Sequence, residues 1–164
     1  SNQLPPLNNS MTTFRWYPIT ALILAGIGFV DATYLTIEHY SNFSLPCTIT
    51  NGCETVTNSV YSLLFGIPVA LLGSLYYIGV LLVVFIILEF GAKHYLQYVA
   101  IGSTAGFIFS MWFVYVQIVL IGAICQYCMI SALTSTLLFF ASMKYLYDLK
   151  TSSSSPLPPE AHSE

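Results

Sequence analysis

Residues 64–90 read LFGIPVALLGSLYYIGVLLVVFIILEF, a stretch in which Glu89 carries the only charge. A helix needs about 20 consecutive apolar residues to cross the hydrocarbon core of a bilayer, so this stretch predicts a membrane-spanning helix. Residues 17–38, 95–122 and 127–147 have the same predominantly apolar character. The chain is therefore predicted to be an all-α integral membrane protein, built as a bundle of four transmembrane helices.

The composition of the whole chain points to the same class. Of its 164 residues, 56% are hydrophobic and only 7% are charged, whereas soluble domains carry roughly 25% charged residues. The net charge of −3 is too small to predict nucleic-acid binding. The sequence also contains no nucleotide-binding glycine loop, HExxH motif or serine triad. A protein embedded in a lipid bilayer, with no nucleic-acid partner, is expected.

The few basic residues predict the orientation of the bundle. All Lys and Arg residues fall at the same end of the predicted helices: Arg15, Lys93, Lys144 and Lys150. Because cytoplasmic loops carry the excess of Lys and Arg, we expect that end and both chain termini to lie in the cytoplasm. The cysteines would then face the periplasm or an equivalent oxidising lumen, where disulfides persist.

The chain is expected to hold a single folded domain, a four-helix transmembrane catalytic domain over residues 15–149. Residues 1–14 are predicted to be a disordered N-terminal segment. Residues 150–164 are predicted to be a disordered tail, because they are rich in Ser and Pro. The first apolar stretch is too long for the h-region of a signal peptide, about 7–15 residues, and is expected to be retained.

The first of two cysteine pairs lies in the polar loop after the first predicted helix. Residues 47–53 of that loop read CTITNGC. Asn51-Gly52 is a strong turn signal, because both residues tolerate positive φ. Such a turn would bring Cys53 back to within disulfide distance of Cys47.

A short interfacial helix is predicted directly after this pair. Val56, Val60 and Leu64 recur at i, i+4 and i+8, beside polar residues such as Thr55 and Thr57. A short amphipathic helix of this kind would lie at the membrane interface, over the top of the bundle. We expect it to cap a cavity and to carry Cys53 above that cavity.

The second pair, Cys125-Gln126-Tyr127-Cys128, opens the last predicted helix. A thiol at a helix N-terminus lies at the positive end of the helix dipole, which lowers its pKa from about 8.5 and favours the thiolate. A zinc site would need further ligands, and the spacing of His39, the other candidate at this end, matches no zinc pattern. No metal site is therefore expected.

Several kinds of protein remain compatible with two thiol pairs at one end of a membrane bundle. One is an enzyme that relays electrons between the pairs, since the thiolate is the form that attacks disulfides. The alternative is a structural membrane protein with two static disulfides. A small transporter subunit would need buried, paired charges near the midplane, and apart from Asp31 the predicted helices lack them.

These motifs, taken together, resemble the bacterial homologues of vitamin K epoxide reductase. Residues 53–73, CETVTNSVYSLLFGIPVALLG, are similar to the first-loop signature of that family. The Cys-x5-Cys spacing and a CxxC at the start of the last helix match as well, and the resemblance covers roughly residues 15–147. The other quinone-linked disulfide oxidase family, the DsbB type, has the two motifs in the opposite order.

The resemblance implies a membrane thiol:quinone oxidoreductase of the bacterial plasma (inner) membrane that supports disulfide bond formation. It would reoxidise a thioredoxin-like, DsbA-type periplasmic protein, which exchanges with the Cys47–Cys53 disulfide through Cys47. Cys53 would then attack Cys125. Cys128 would face the ring of a membrane quinone, menaquinone or ubiquinone, and reduce it.

Two departures from the family limit what the resemblance implies. In the animal enzymes an asparagine and a tyrosine hydrogen-bond the quinone, and the aligned positions here are Ser62 and Ala132. The candidate quinone contacts of this chain are therefore Cys128, Ser59 and Ser62. Many bacterial relatives also carry a fused thioredoxin-like domain, whereas this chain has a Ser/Pro tail, so the partner is expected to be a separate protein.

Overall fold

The computed structural model describes residues 9–41, 44, 46–91 and 94–153, with side chains from residue 16 to residue 151 of these ranges. The described chain is mainly helical. Its regular elements, in chain order, are α1 (Asn9–Ser41), α2 (Cys53–Thr57), β1 (Leu63–Leu64), β2 (Ile67–Pro68), α3 (Val69–Phe90), α4 (Tyr95–Tyr115) and α5 (Gln126–Ser153). A short 3₁₀ turn precedes β1, and a π-helical turn, Val116–Ile121, continues α4.

The four long helices each contain a segment that is long and apolar enough to cross a membrane. These segments are Trp16–Ser41, Val69–Phe90, Tyr95–Ile121 and Gln126–Thr151. The predicted four-helix membrane bundle is thereby confirmed, and the short helix of the first loop is present as α2.

The second long helix begins later than the predicted residue 64. Leu63–Leu64 and Ile67–Pro68 pair as antiparallel strands around a turn in which Phe65 and Gly66 have φ values of 53° and 80°. Positive φ does not fit a right-handed helix. Pro68 then precedes the first helical residue, where its missing N–H costs no hydrogen bond. The predicted helix boundary at residue 64 was therefore wrong by five residues.

The interfacial helix α2 is shorter than the apolar spacing predicted. The Thr57 hydroxyl donates to the Cys53 carbonyl at 2.9 Å, and the Ser59 hydroxyl donates to the Val56 carbonyl at 2.7 Å. Such side-chain bonds to nearby backbone groups compete with helix propagation. Val60 consequently lies beyond the helix and is 81% exposed. Of the predicted apolar stripe, Val56 is the member that is buried.

The ends of the first and last helices do not coincide with the predicted domain limits. Helix α1 begins at Asn9, so the backbone of residues 9–14, predicted to be disordered, is helical. Helix α5 continues to Ser153. The remainder of both predicted tails lies outside the described residues, as do the side chains of Arg15 and Lys93 that helped to predict the orientation.

Helix α1 is the centre of the packing and contacts both α3 and α5, while α4 packs mainly against α5. Ala21 and Ala25 are fully buried, and a Cβ at Gly28 would overlap the ring of Tyr77. Small residues let membrane helices approach closely. On the other side of α1, Ile23 and Val30 are exposed, as expected for side chains that face lipid.

The two ends of the bundle differ. The N-terminus of α5, the C-terminus of α1 and the start of α3 lie together beside the connection that carries Cys47 and Cys53. We call this the cysteine end. At the opposite end, Tyr17 stacks on Tyr145 with ring centroids 4.4 Å apart, and the Tyr17 and Ser142 hydroxyls share a hydrogen bond of 2.8 Å.

Candidate active site

Cys47 and Cys53 form a disulfide, with their Cα atoms 6.2 Å apart. The turn that brings them together lies at Asn51-Gly52, as the sequence predicts. The predicted reason for the glycine was wrong, because Gly52 has a φ of −98°. A Cβ at this position would instead lie 2.7 Å from the Ile124 carbonyl oxygen and 2.8 Å from its nitrogen. Gly52 is needed because the loop touches the backbone that leads into the second cysteine pair.

A hydrogen bond holds the same two segments together. The backbone N–H of Ile49 donates to Oε1 of Gln126 at 3.1 Å. Gln126 lies between Cys125 and Cys128, so the motif carries its own attachment to the first loop. No role was predicted for Gln126 from the sequence. The feature that could have indicated one is its polar side chain inside the CxxC motif.

The two cysteine pairs meet in one small apolar cluster. Cys53 is 1% exposed and Cys125 is fully buried, and both pack with Val56 of α2. The side chains packed against this cluster belong to the remaining two cysteines and to neighbouring apolar residues, Phe113, Ile121, Ala123 and Tyr127. The four cysteines that the sequence singled out are therefore adjacent in space. Water is largely excluded from the contact between the inner members, Cys53 and Cys125.

The side chain of Gln117 fixes the position of Cys125 through a hydrogen bond to its backbone. The Cys125 N–H donates to Oε1 of Gln117 at 3.0 Å, and the Ala123 N–H donates to the Gln117 carbonyl at 3.2 Å. Gln117 is fully buried and lies in the π-helical turn, a feature often found at functional sites. Gly122, with a φ of 68°, ends this turn and directs the chain back toward α5. No role was predicted for Gln117 from the sequence, although it is an isolated amide in an apolar run.

Cys125 occupies the capping position of α5. Its carbonyl accepts the first helical hydrogen bond, from the Met129 N–H at 3.1 Å. The Cys128 thiol and the backbone N–H groups of Cys128 and Tyr127 bond to the Cys125 sulfur and lower the pKa of this thiol to about 7, against the opposing effect of burial. Cys125 is therefore suited to act as a thiolate near neutral pH.

The reduced protein is expected to gain one cysteine thiolate as the pH rises through about 7. A lowered pKa favours the ionised form, so Cys125 should be mainly protonated below this pH and mainly ionised above it. The ultraviolet absorbance of the thiolate measures this directly, without requiring a reagent to reach a buried sulfur. The same step should be missing from Cys125→Ser, and a step that persists in this variant would contradict the assignment.

A cavity of about 400 Å³ lies next to α2, between α1, α3, α4 and α5. Its wall is mainly apolar, and its polar side chains include Ser62, Tyr76, Tyr77, Cys128, Ser131 and Ser135. Volume and lining are typical of a site for a small organic molecule. Cys128 connects the cysteine cluster to the cavity, because it belongs to both.

The two predicted serine contacts occupy different places. Ser62 lines the cavity, and its hydroxyl donates to the Ser59 carbonyl at 2.8 Å. Ser59 is not among the residues that line the cavity, and its own hydroxyl is bonded to the Val56 carbonyl. Ala132 lines the cavity but has no polar group to offer. Contact of Ser59 or Ser62 with a quinone stays a prediction.

Asp31 is a buried acid close to this site. It is placed on α1, and it lies near enough to Cys125 and Cys128 to interact electrostatically with both. Its Oδ2 atom is buried without a hydrogen-bond partner among the described residues. Within the described ranges, no three His, Cys, Asp or Glu side chains are grouped as a metal ion would require.

Comparison with known proteins gives two matches. Residues 19–143, which include all four cysteines, match the sequence profile of the vitamin K epoxide reductase family. The chain is also 33% identical over 124 residues to the thiol-disulfide oxidoreductase LTO1 of Arabidopsis thaliana. This second match covers 70% of the present chain and 33% of LTO1, so the chain spans about a third of that relative's length.

Proposed function

The chain belongs to the vitamin K epoxide reductase family, and we propose that it works as a membrane thiol:quinone oxidoreductase. Family membership and the related thiol-disulfide oxidoreductase support the activity of a membrane thiol oxidoreductase. The observation that carries the finer proposal is the position of Cys128. It packs in the cluster that holds both cysteine pairs, and it also lines an apolar cavity between the helices.

The first step is exchange with a separate thioredoxin-like, DsbA-type protein. One thiolate of this partner attacks Cys47, forming a mixed disulfide and releasing Cys53. The second partner thiol attacks the mixed disulfide and leaves as the oxidised partner, so that Cys47 and Cys53 both become thiols. The entry at Cys47 is supported by burial, because Cys47 is half-buried whereas Cys53 is almost fully covered.

The second step moves the electron pair inward. Cys53 attacks the Cys125 sulfur of a Cys125–Cys128 disulfide, and Cys128 leaves as a thiolate. Cys47 then attacks Cys53, which restores the outer disulfide and releases Cys125. The present structure corresponds to this stage, with Cys47 and Cys53 bonded and Cys125 and Cys128 as thiols.

The cavity fits a quinone as the electron acceptor. The Cys125 and Cys128 thiols would form their disulfide again, and a quinone bound there would take up the two electrons and two protons and leave as the quinol. Apolar side chains would cover the ring, while the Tyr76 and Ser135 oxygens, which are buried without hydrogen bonds of good geometry, offer it polar contacts. An isoprenoid tail would reach the lipid between α3 and α4, which pack less extensively than the other neighbouring helices.

The proposed location is a bacterial plasma (inner) membrane, with the cysteine end outside and both termini in the cytoplasm. Lys144 supports this orientation, because it lies near the end opposite to the cysteines, 5.6 Å from the ring centroid of Trp16. Basic residues are enriched on the cytoplasmic side of membrane proteins. In this arrangement the enzyme would sustain disulfide bond formation in exported proteins.

Turnover by the purified chain tests this function. The protein in detergent would receive dithiothreitol or a reduced DsbA-type protein as the donor, with menaquinone or ubiquinone analogues as acceptors. The unmodified chain should reduce the quinone catalytically, which is measured as loss of quinone absorbance. The double variant Cys125→Ser/Cys128→Ser should show no such loss. A folded protein that reduces none of these quinones would favour the alternative, a structural membrane protein with static disulfides.

A further inference from the structure

We propose that Tyr76 and Ser135 together bind one carbonyl oxygen of the quinone. The inference rests on the proposed function and names the polar contacts of that same cavity. Ser62 and Ala132 occupy the positions where the resemblance would place the quinone contacts. The polar contacts would instead come from positions one turn or more further along α3 and α5.

Both hydroxyls are buried at the cavity without a satisfied hydrogen bond. Ser135 is 2% exposed, and its Oγ makes no hydrogen bond of good geometry with the described residues. The Tyr76 hydroxyl is also buried without a hydrogen bond of good geometry, although Ser135 is its near neighbour. Buried polar groups are nearly always paired in folded proteins, so two such oxygens in one wall call for a ligand.

Gly106 lets both hydroxyls lie close to the backbone of α4. A Cβ at this position would lie 2.5 Å from the Tyr76 hydroxyl oxygen and 3.1 Å from the Ser135 oxygen. Both hydroxyls therefore converge on one small volume that belongs to the cavity. Two donors that meet at one point suit a single acceptor atom, such as a carbonyl oxygen.

Two other hydroxyls in the cavity wall, those of Tyr77 and Ser62, are already engaged. The Tyr77 hydroxyl donates to the Ser131 carbonyl at 2.8 Å and lies 2.8 Å from Oγ1 of Thr134. The Ser62 hydroxyl donates to the Ser59 carbonyl. Tyr76 and Ser135 differ from these two residues because their hydroxyl oxygens are buried and are not committed in this way.

The position of Ser135 relative to Cys128 suits a quinone with two opposite carbonyls. Seven residues separate them on α5, about 10 Å at 1.5 Å per residue, and both line the cavity. A ring bound through one carbonyl at Tyr76 and Ser135 would extend along α5 toward the sulfur. The predicted ligand class is therefore a 1,4-quinone.

Equilibrium binding and infrared spectroscopy test the assignment without relying on turnover. The variants are Tyr76→Phe and Ser135→Ala, and the probe is an oxidised menaquinone analogue carrying ¹³C at its carbonyls. Each variant should weaken binding by about fivefold, the value of one ordinary hydrogen bond. The stretching frequency of one carbonyl should also rise toward that of the quinone in an apolar solvent. Exchange between a thiol donor and Cys47–Cys53 should stay unchanged.

Tyr17→Phe and Ser142→Ala are the matched controls, because they remove the same atoms from a hydroxyl pair at the opposite end of the bundle. They are expected to leave the dissociation constant and the carbonyl frequency unaltered. If Tyr76→Phe and Ser135→Ala also leave both values unaltered while the parent chain binds and reduces quinone, the present inference is overturned and the proposed function stands. If the parent chain neither binds nor reduces quinone, both are overturned.

Discussion

Replacement of Cys128 by serine is expected to lower quinone reduction by roughly a thousandfold or more, the range seen when an enzyme loses its reacting nucleophile. Among the described residues, Cys128 is the cysteine that lines the cavity, so no other sulfur is placed to deliver the electron pair there. A serine hydroxyl of similar size preserves the packing but cannot form a disulfide. The measurement is quinone absorbance during turnover with dithiothreitol as donor.

Two controls separate loss of chemistry from loss of structure in this variant. Cys128→Ser should still oxidise one equivalent of a reduced DsbA-type protein per chain, because the Cys47–Cys53 disulfide remains. Met129→Ser changes the neighbouring sulfur side chain, which does not line the cavity, and should keep most of the turnover. Substantial quinone reduction by Cys128→Ser would move the electron exit to another residue and overturn the proposed relay order.

Replacement of Cys47 and of Cys53 is expected to trap two different covalent intermediates. In Cys47→Ser, Cys53 can still attack Cys125, but no thiol remains to release it, so an internal Cys53–Cys125 disulfide should accumulate. In Cys53→Ser, Cys47 is a lone thiol with no disulfide for a reduced partner to attack. When the oxidised partner is added, Cys47 should attack the partner's disulfide, form a mixed disulfide and release the other partner thiol. Turnover with a protein donor should fall by about a hundredfold or more in both variants.

Mass spectrometry of unreduced peptides identifies each trapped species. The prediction rests on burial, because Cys53 and Cys125 are covered inside one cluster and Cys47 is more accessible. Wild-type chain treated in the same way should show mainly the Cys47–Cys53 peptide. A partner adduct on Cys53 of Cys47→Ser, without the internal cross-link, would place the entry point at Cys53 instead.

The sequence predicted the architecture of this protein well, because its main determinants are local. Long apolar runs require membrane-spanning helices, and these were found close to their expected positions. The turn at Asn51-Gly52 and the CxxC motif are also short-range features, so both cysteine pairs could be recognised before the fold was known. The predicted membership of the vitamin K epoxide reductase family is confirmed by the match over residues 19–143.

Features that depend on contact between distant segments were missed. Spacing alone could not show that Gly52 touches Ile124, or that Gln117 holds Cys125 from eight residues away. Tyr76 and Ser135 belong to apolar runs on different helices, and only the arrangement of α3 and α5 around the cavity brings their hydroxyls together. The helix predicted from the apolar spacing after Cys53 is shorter than expected for a different reason, because local side-chain bonds outweigh helical periodicity there.

The π-helical turn at Val116–Ile121 makes the position of Cys125 depend on the number of residues between α4 and α5. A π turn holds one residue more than an α turn, and each residue of an α-helix rotates the chain by about 100°. Deleting one residue here would restore regular helix yet swing the Gln117 amide away from Cys125. Relatives aligned with a gap in this segment, or chimaeras joined within it, would therefore misdirect the CxxC motif even if every cysteine were retained.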